Sequence, residues 1–346
     1  MFSYLRRILS GLLTLVCTAI AFIPFFMGTN TYAEFLVKIK LSNAQFSLVC
    51  FLIFVTIIAC SIIAYVRTNK EIERTGKIFG DFHRKMLEIV FELRSNSDNY
   101  SENTTVEEFY TKIQTPCYEL CEYIADFLKN KYRKDFSVCI KTIDEKSLRR
   151  VKYTGNLGDA QVFTLCRAGH RNKERSGREE AQAKNAKQKR FLIDVGSNYD
   201  FLTILDANKN NSVEGDLQIS NQASAFACRN LLTHDILLRI INWKFPNQPK
   251  YTNSTEDYWK HYLSTVVVPI RIATEYITTR SKSPIAGQYQ VVGFLCVDYR
   301  WPVSKAILNE LAGYMKGFGD SFYELFHEIG IIDRKIAKAE KKSSKI

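Results

Sequence analysis

Two uncharged apolar runs near the N-terminus constrain this chain more than any other feature. Residues 8–27, "ILSGLLTLVCTAIAFIPFFM", and residues 46–66, "FSLVCFLIFVTIIACSIIAYV", contain no Asp, Glu, Lys or Arg. Each reaches the roughly 20 residues with which an α-helix crosses about 30 Å of hydrocarbon. A cleaved leader is the rival for the first run. That run outlasts the usual apolar core of about 7–15 residues, and no small-x-small cleavage site follows it. Pro24 falls near the end of the span, where water can replace the lost backbone hydrogen bond. Residues 1–66 therefore predict a two-helix transmembrane hairpin.

The flanking charges orient the hairpin. Arg6 and Arg7 precede the first span, and Arg67, Lys70, Arg74 and Lys77 follow the second, against only Lys38 and Lys40 in the loop between. The positive-inside rule then predicts a multi-pass protein of the inner (plasma) membrane with both termini cytoplasmic. In that reducing compartment nine cysteines, an odd number with no Cys-x-x-Cys pair, read as free and mostly buried thiols. Cys117 and Cys121 lie one helical turn apart, and a metal site needs more ligands than two. The net charge of +12 suits an anionic inner leaflet, at about 1 kcal/mol per well-placed Lys or Arg. Nucleic acid is not expected, because no element interleaves aromatic and basic residues.

Behind the hairpin, residues 67–99 predict a connecting, coiled-coil-like helix. Ile72, Phe79, Met86 and Leu93 recur every seven residues, and Thr75, Phe82 and Ile89 fill the positions between. Such a stripe makes either the seam of a homodimer or a face packed on the chain's own domain. "SNSDNYSEN", residues 95–103, is polar and reads as the domain boundary. Thr105 and Glu108 then form a capping box ahead of an amphipathic helix with Phe109, Ile113, Cys117, Leu120, Ile124 and Phe127 on one stripe.

Three strands are predicted next, at 136–143, 149–155 and 161–168, with a turn over 144–147. A basic segment, 170–190, reads as a solvated insertion. Residues 191–262 are irregular, with short apolar pieces at 199–205 and 230–240 between Asn-rich loops. "STVVVPIRI" (264–272) and "QVVGFLCVDY" (290–299) then predict an antiparallel pair, with a bulge or unpaired side at Pro269. Both faces of 291–297 are apolar, so layers are needed above and below the sheet. A closing helix over 303–329 and a basic, frayed tail over 331–346 complete the chain.

This order resembles a GAF domain, most closely at Val268-Pro269-Ile270, at Gly293-Phe294-Leu295-Cys296-Val297-Asp298 and in the amphipathic helix that follows. The resemblance covers residues 100–330 and is similar to bacterial membrane-tethered members. It implies an α+β domain, an antiparallel sheet of about six strands with helices on both sides. It also implies a small-molecule pocket between the sheet and the irregular middle segment. The Asn-Lys-x-x-x-Phe motif of cyclic-nucleotide-binding members is absent, and Cys228 is followed by Arg229 rather than the histidine common beside a bilin cysteine.

No metalloprotease, Walker, nucleophile-elbow or dinucleotide motif is present. Of the five histidines, His83 lacks the sequence that surrounds a phosphorylated kinase histidine, and His234–Asp235 reads as a cap or surface pair. Some GAF domains reduce methionine sulfoxide with several cysteines, which Cys139, Cys166, Cys228 and Cys296 could supply. The expectation is nevertheless of no enzyme, no metal and no cofactor. Arg229 and Asn230 are expected to contact ligand, since a guanidinium pairs with phosphate or carboxylate in bidentate fashion. Phe201 and Asp298 are the other candidates, Asp298 having a capping role as its alternative. The reading is of a membrane-anchored sensory or regulatory protein, a homodimer, that signals through a partner or its own hairpin. The alternative is a membrane-disrupting effector of a nucleotide-signalling, anti-phage type system.

Overall fold

The structure, a computed structural model, describes residues 42–170, 176–177, 179–181, 184, 191–210, 225–244, 252–253, 258–273 and 289–343. The first expected span and most of the hairpin loop lie outside the described residues. So does most of the basic insertion.

The chain divides into two units, Met1–Lys77 and Ile78–Ile346. Helix α1 (Asn43–Ser95) begins in the first. Within that unit its side chains from Phe51 to Val66 are almost all exposed, with Phe51 at 61% and Ile62 at 57%. One stretch of α1 is long and apolar enough to cross a membrane, and none of it is buried in the chain.

The second unit is α+β. A six-stranded sheet runs in the order β3-β2-β1-β6-β5-β4, every neighbouring pair antiparallel. Its strands are β1 (Ser137–Ile143), β2 (Gln161–Gly169), β3 (Ile193–Asp194), β4 (Phe226–Cys228), β5 (Ser264–Ala273) and β6 (Tyr289–Tyr299). The expected 264–272/290–299 pair is β5 and β6, with Val266 opposite Val297 and Val268 opposite Leu295. A register shift falls between Ile270 and Arg271, one residue beyond Pro269, which cannot donate to the ladder.

One face of the sheet carries Val138, Ile140, Leu165, Val268, Leu295 and Val297. They pack against the 78–95 segment of α1, α3 (Val106–Tyr132), α7 (Lys305–Ser321) and α8 (Tyr323–Ser343). The capping box at Thr105 and Glu108 forms as expected, and Cys117 and Cys121 are buried in this layer. The other face carries Cys139, Ile143, Val162, Val267, Phe294 and Cys296 against Val151, Phe201, Ile204 and Leu205. All seven β1 residues are buried, which is the two-sided covering inferred for the central strands.

Two expectations fail. Residues 149–155 are not a strand but the end of helix α4 (Glu145–Thr154). Asp144 caps it by accepting from the Ser147 N–H at 3.0 Å, and Gly155 closes it at φ 71°. The alternation over Val151 and Tyr153 misled, because Val151 is buried while Tyr153 is 94% exposed. The polar stretch 95–103 holds a short helix, α2 (Ser97–Asn103), and lies within the second unit. The closing helix divides at Phe322, and α8 carries the supposed tail to Ser343, with Ile332 and Ile336 buried. The α1 stripe takes the second of its two expected roles, packing within the chain: Phe82, Met86 and Leu93 are buried in the core, and the Phe79 and Phe318 ring centres lie 4.5 Å apart. Ile72, in the first unit, is 65% exposed.

Gly293 has a specific packing reason. A Cβ there would lie 2.4 Å from the Lys141 carbonyl oxygen on β1. Backbone cannot yield as a flexible side chain does, so Gly293→Ala should cost at least about 1–3 kcal/mol. A lowered denaturant midpoint is the expected reading, and an unchanged midpoint would show that β1 and β6 do not approach this closely.

Candidate functional site

The second face of the sheet is apolar at its margin and charged at its centre. Antiparallel register sets three rows across it. Thr265, Asp298 and Ser137 make the first; Val267, Cys296, Cys139 and Arg167 the second; Pro269, Phe294, Lys141 and Thr164 the third. A bulge between Ile140 and Lys141 puts both Leu165 and Cys166 on the opposite face and leaves Arg167 and Thr164 on this one. Helix α5 (Tyr199–Asn210) lies over the rows, where Phe201 stacks on Phe294 at 4.6 Å and Asp200 is buried.

The polar groups are only partly matched. Asp298 accepts from the Thr265 hydroxyl at 2.8 Å. Lys141 Nζ donates to Thr164 Oγ1 at 3.2 Å and stands 5.9 Å from the centre of the Phe201 ring. The Arg167 side chain is 1% exposed, and its Nη2 meets Glu179 at 2.8 Å. Its Nε and Nη1 are buried with no hydrogen-bond partner among the described residues, and the same holds for Ser137 Oγ. A buried donor left unmatched costs about 1–3 kcal/mol, and more when charged, so native folds seldom leave such groups idle.

Charges in the rows hold one another. Burial works against the Arg167 guanidinium, but Cys139, Glu179 and Asp298 together keep it firmly protonated. The Cys139 thiol is drawn down, first by a hydrogen bond from Cys296 and then, against burial, by Arg167 and Lys141. Burial and the same hydrogen bond push Cys296 up. Burial raises Asp200 to about 7, and the nearby Asp298 adds to the shift.

That last shift makes a prediction of definite sign. An aspartate in the unfolded chain titrates near 3.9. The folded chain binds the Asp200 proton more tightly, so stability falls as pH rises between about 4 and 7. Asp200→Asn is expected to flatten that slope. Its melting temperature should exceed the parent's at pH 8 and match it near pH 4; parallel curves would mean Asp200 titrates normally.

Of the residues expected at a site, Asp298 lies in these rows and Phe201 lies over them on α5. Arg229 and Asn230 do not. Arg229 is exposed, and its backbone carbonyl accepts from the Ser264 hydroxyl at 2.7 Å. Asn230 caps helix α6 (Leu231–Lys244) by accepting from the Thr233 N–H at 3.2 Å. His234 lies on the same helix against Tyr199 and Phe226, and burial lowers its pKa. Lys141, Arg167 and Asp200 were missed, although a lysine inside "SVCIKTI" and an arginine inside "QVFTLCRA" are charges set in apolar strands. Among the described residues no group of His, Cys, Asp and Glu could hold a metal ion.

No family model and no curated protein matches the chain. Solved structures similar to it include the GAF domain of a phosphoenolpyruvate-protein phosphotransferase from Acinetobacter. It is 11% identical, covers 75% of this chain and 93% of its own, and has a TM-score of 0.29. The type II free methionine-R-sulfoxide reductase of Thermoplasma acidophilum is 13% identical over 61% of this chain and 96% of its own, with a TM-score of 0.27. The chromophore-binding domain of a bacteriophytochrome from R. palustris is 10% identical over 74% and 62%, with a TM-score of 0.30. At TM-scores below 0.5 these likenesses assign the chain neither a family nor a ligand.

Proposed function

We propose that this chain is a membrane-anchored, cytosol-facing sensor of GAF type whose sheet binds a small anionic molecule without turning it over. Arg167 and Lys141 are its charged contacts. Phe201, on Phe294, supplies the apolar wall, and Asp298 and Ser137 offer polar atoms at the rim. The supporting observation is the Arg167 guanidinium, buried with two N–H groups unmatched among the described residues. A planar fork of donors suits a phosphate or carboxylate, and burial strengthens each such bond. The GAF-like motif at 293–298 and a sheet covered on both sides agree with a ligand-binding module. The exposed apolar length of α1 agrees with an anchor, and the signal then passes to a partner or to the hairpin.

Thermal-shift measurements on the full chain in detergent micelles test this. One arm uses inorganic phosphate and nucleoside monophosphates, the other small mono- and dicarboxylates. At about a hundred times the dissociation constant the bound form gains about 2.7 kcal/mol, or roughly 5–10 °C for a domain of this size. If no anion in either arm moves the melting temperature, the domain is an interaction scaffold.

A further inference from the structure

We propose that Cys139 and Cys296 form a peroxide-reactive dithiol, which closes to a disulfide between β1 and β6 and thereby raises the anion affinity of the site. The dithiol stands on the register that sets Cys139 between Cys296 and Arg167; the effect on affinity rests on the anion-binding reading above. Cys139 and Cys296 are in register across neighbouring strands, on the same face of the sheet. On its other side Cys139 is in register with Arg167, and Lys141 is the next residue of β1 on the same face. Both cysteines are buried.

The structure contains its own control. Cys121 and Cys166 approach to 3.5 Å on the opposite face of the sheet, equally buried. There burial dominates and both thiols are pushed up, Cys166 strongly. Cys139 alone is drawn down, with Arg167 and Lys141 among the causes. The thiolate is the nucleophile, so two equally buried pairs should differ in reactivity.

The chemistry balances with a small peroxide as oxidant. The Cys139 thiolate attacks one peroxide oxygen, an S–O bond forms and the O–O bond breaks. The departing oxygen, facing the unmatched Arg167 N–H groups, takes a proton and leaves as water or an alcohol. The Cys296 sulfur then attacks Cys139, giving up its proton as the S–O bond breaks and a second water leaves. Two thiols lose two hydrogens and one peroxide is reduced; a dithiol reductant returns the pair. Oxidation removes the negative sulfur opposite Arg167, and the guanidinium charge becomes available to a bound anion.

The test oxidises the reduced full chain, in micelles, with equimolar hydrogen peroxide at pH 7, followed by alkylation and peptide mapping. A Cys139–Cys296 cross-link should appear at least about tenfold faster than Cys121–Cys166. In Cys296→Ser, a near-isosteric change, a 1,3-dione should trap sulfenic acid at Cys139. Titration of inorganic phosphate should then show at least about fivefold tighter binding to the oxidised chain than to the reduced one. Equal or faster closure of Cys121–Cys166, or thiols at 139 and 296 that survive, overturns the dithiol. A disulfide that forms while phosphate affinity stays equal overturns the coupling. Phosphate binding to neither form defeats the anion-binding reading, and the cross-link alone then decides the dithiol.

Discussion

Replacing Met86 by glutamate is expected to unfold the sheet domain, not to separate a dimer. Met86 is fully buried, one turn from Phe82 and from Val90. The Phe82 ring meets Phe318 edge-on at 4.8 Å and Phe322 at 5.6 Å. Losing the methionine contacts costs about 2–5 kcal/mol, as in other large-to-small core changes. Burying an unpaired carboxylate adds several more, or forces the helix off the core. Against a total stability of about 5–15 kcal/mol, the variant should be largely unfolded or melt more than 10 °C lower. Circular dichroism melts at two protein concentrations check this, and the drop should be the same at both. A variant with parental stability and half the parental mass would instead make Met86 part of a seam between chains.

The same stripe shows how far a sequence can be read. Phe79, Phe82, Met86 and Leu93 were correctly picked out as an apolar face, yet their spacing does not say what covers it. A 3.5-residue seam and a 3.6-residue face drift apart by only ~20° per heptad, and this stripe is too short for the drift to show. The β5–β6 pair was legible because strand alternation, Pro269 and apolar residues on both faces agreed. Residues 149–155 failed because a short alternation outweighed the true helix signals, Asp144 at one end and Gly155 at the other.

The proposed anion site was legible only in part. Phe201 and Asp298 could be named, since an aromatic in the middle segment and a carboxylate ending a core strand each stand out. Arg229 was chosen by its place after an apolar piece, and it proves to be an exposed turn residue. The better signal was a cation inside a strand whose neighbours are all apolar, as at Lys141 and Arg167. A buried charge is costly unless matched, so a strand retains one only for a reason. Which residues stand opposite could not be read at all, because a bulge shifts the register of β1 with β2 and the register of β1 with β6 joins positions more than 150 residues apart.

The second large effect belongs to Arg167. Arg167→Met keeps most of the volume and removes the fork of donors. The partner left behind, Glu179, is 22% exposed and can recover water. Removing one partner of a buried ion pair costs about 3–5 kcal/mol where the other charge stays buried; Glu179 keeps access to water, so the cost should fall below that range and the fold should survive with a moderately lowered melting temperature. Anion binding should not survive. A group making charge-assisted bonds contributes about 1.5–3 kcal/mol or more, which is roughly a tenfold to over hundredfold loss of affinity.

Arg229→Ala is the matched comparison, an exposed arginine outside the rows. The direct measurement is calorimetric titration of inorganic phosphate into the parent, Arg167→Met and Arg229→Ala chains under reducing conditions. The account predicts binding to the parent and to Arg229→Ala alike, with the heat lost in a folded Arg167→Met chain. Undiminished binding to Arg167→Met, or its loss in Arg229→Ala, would contradict it.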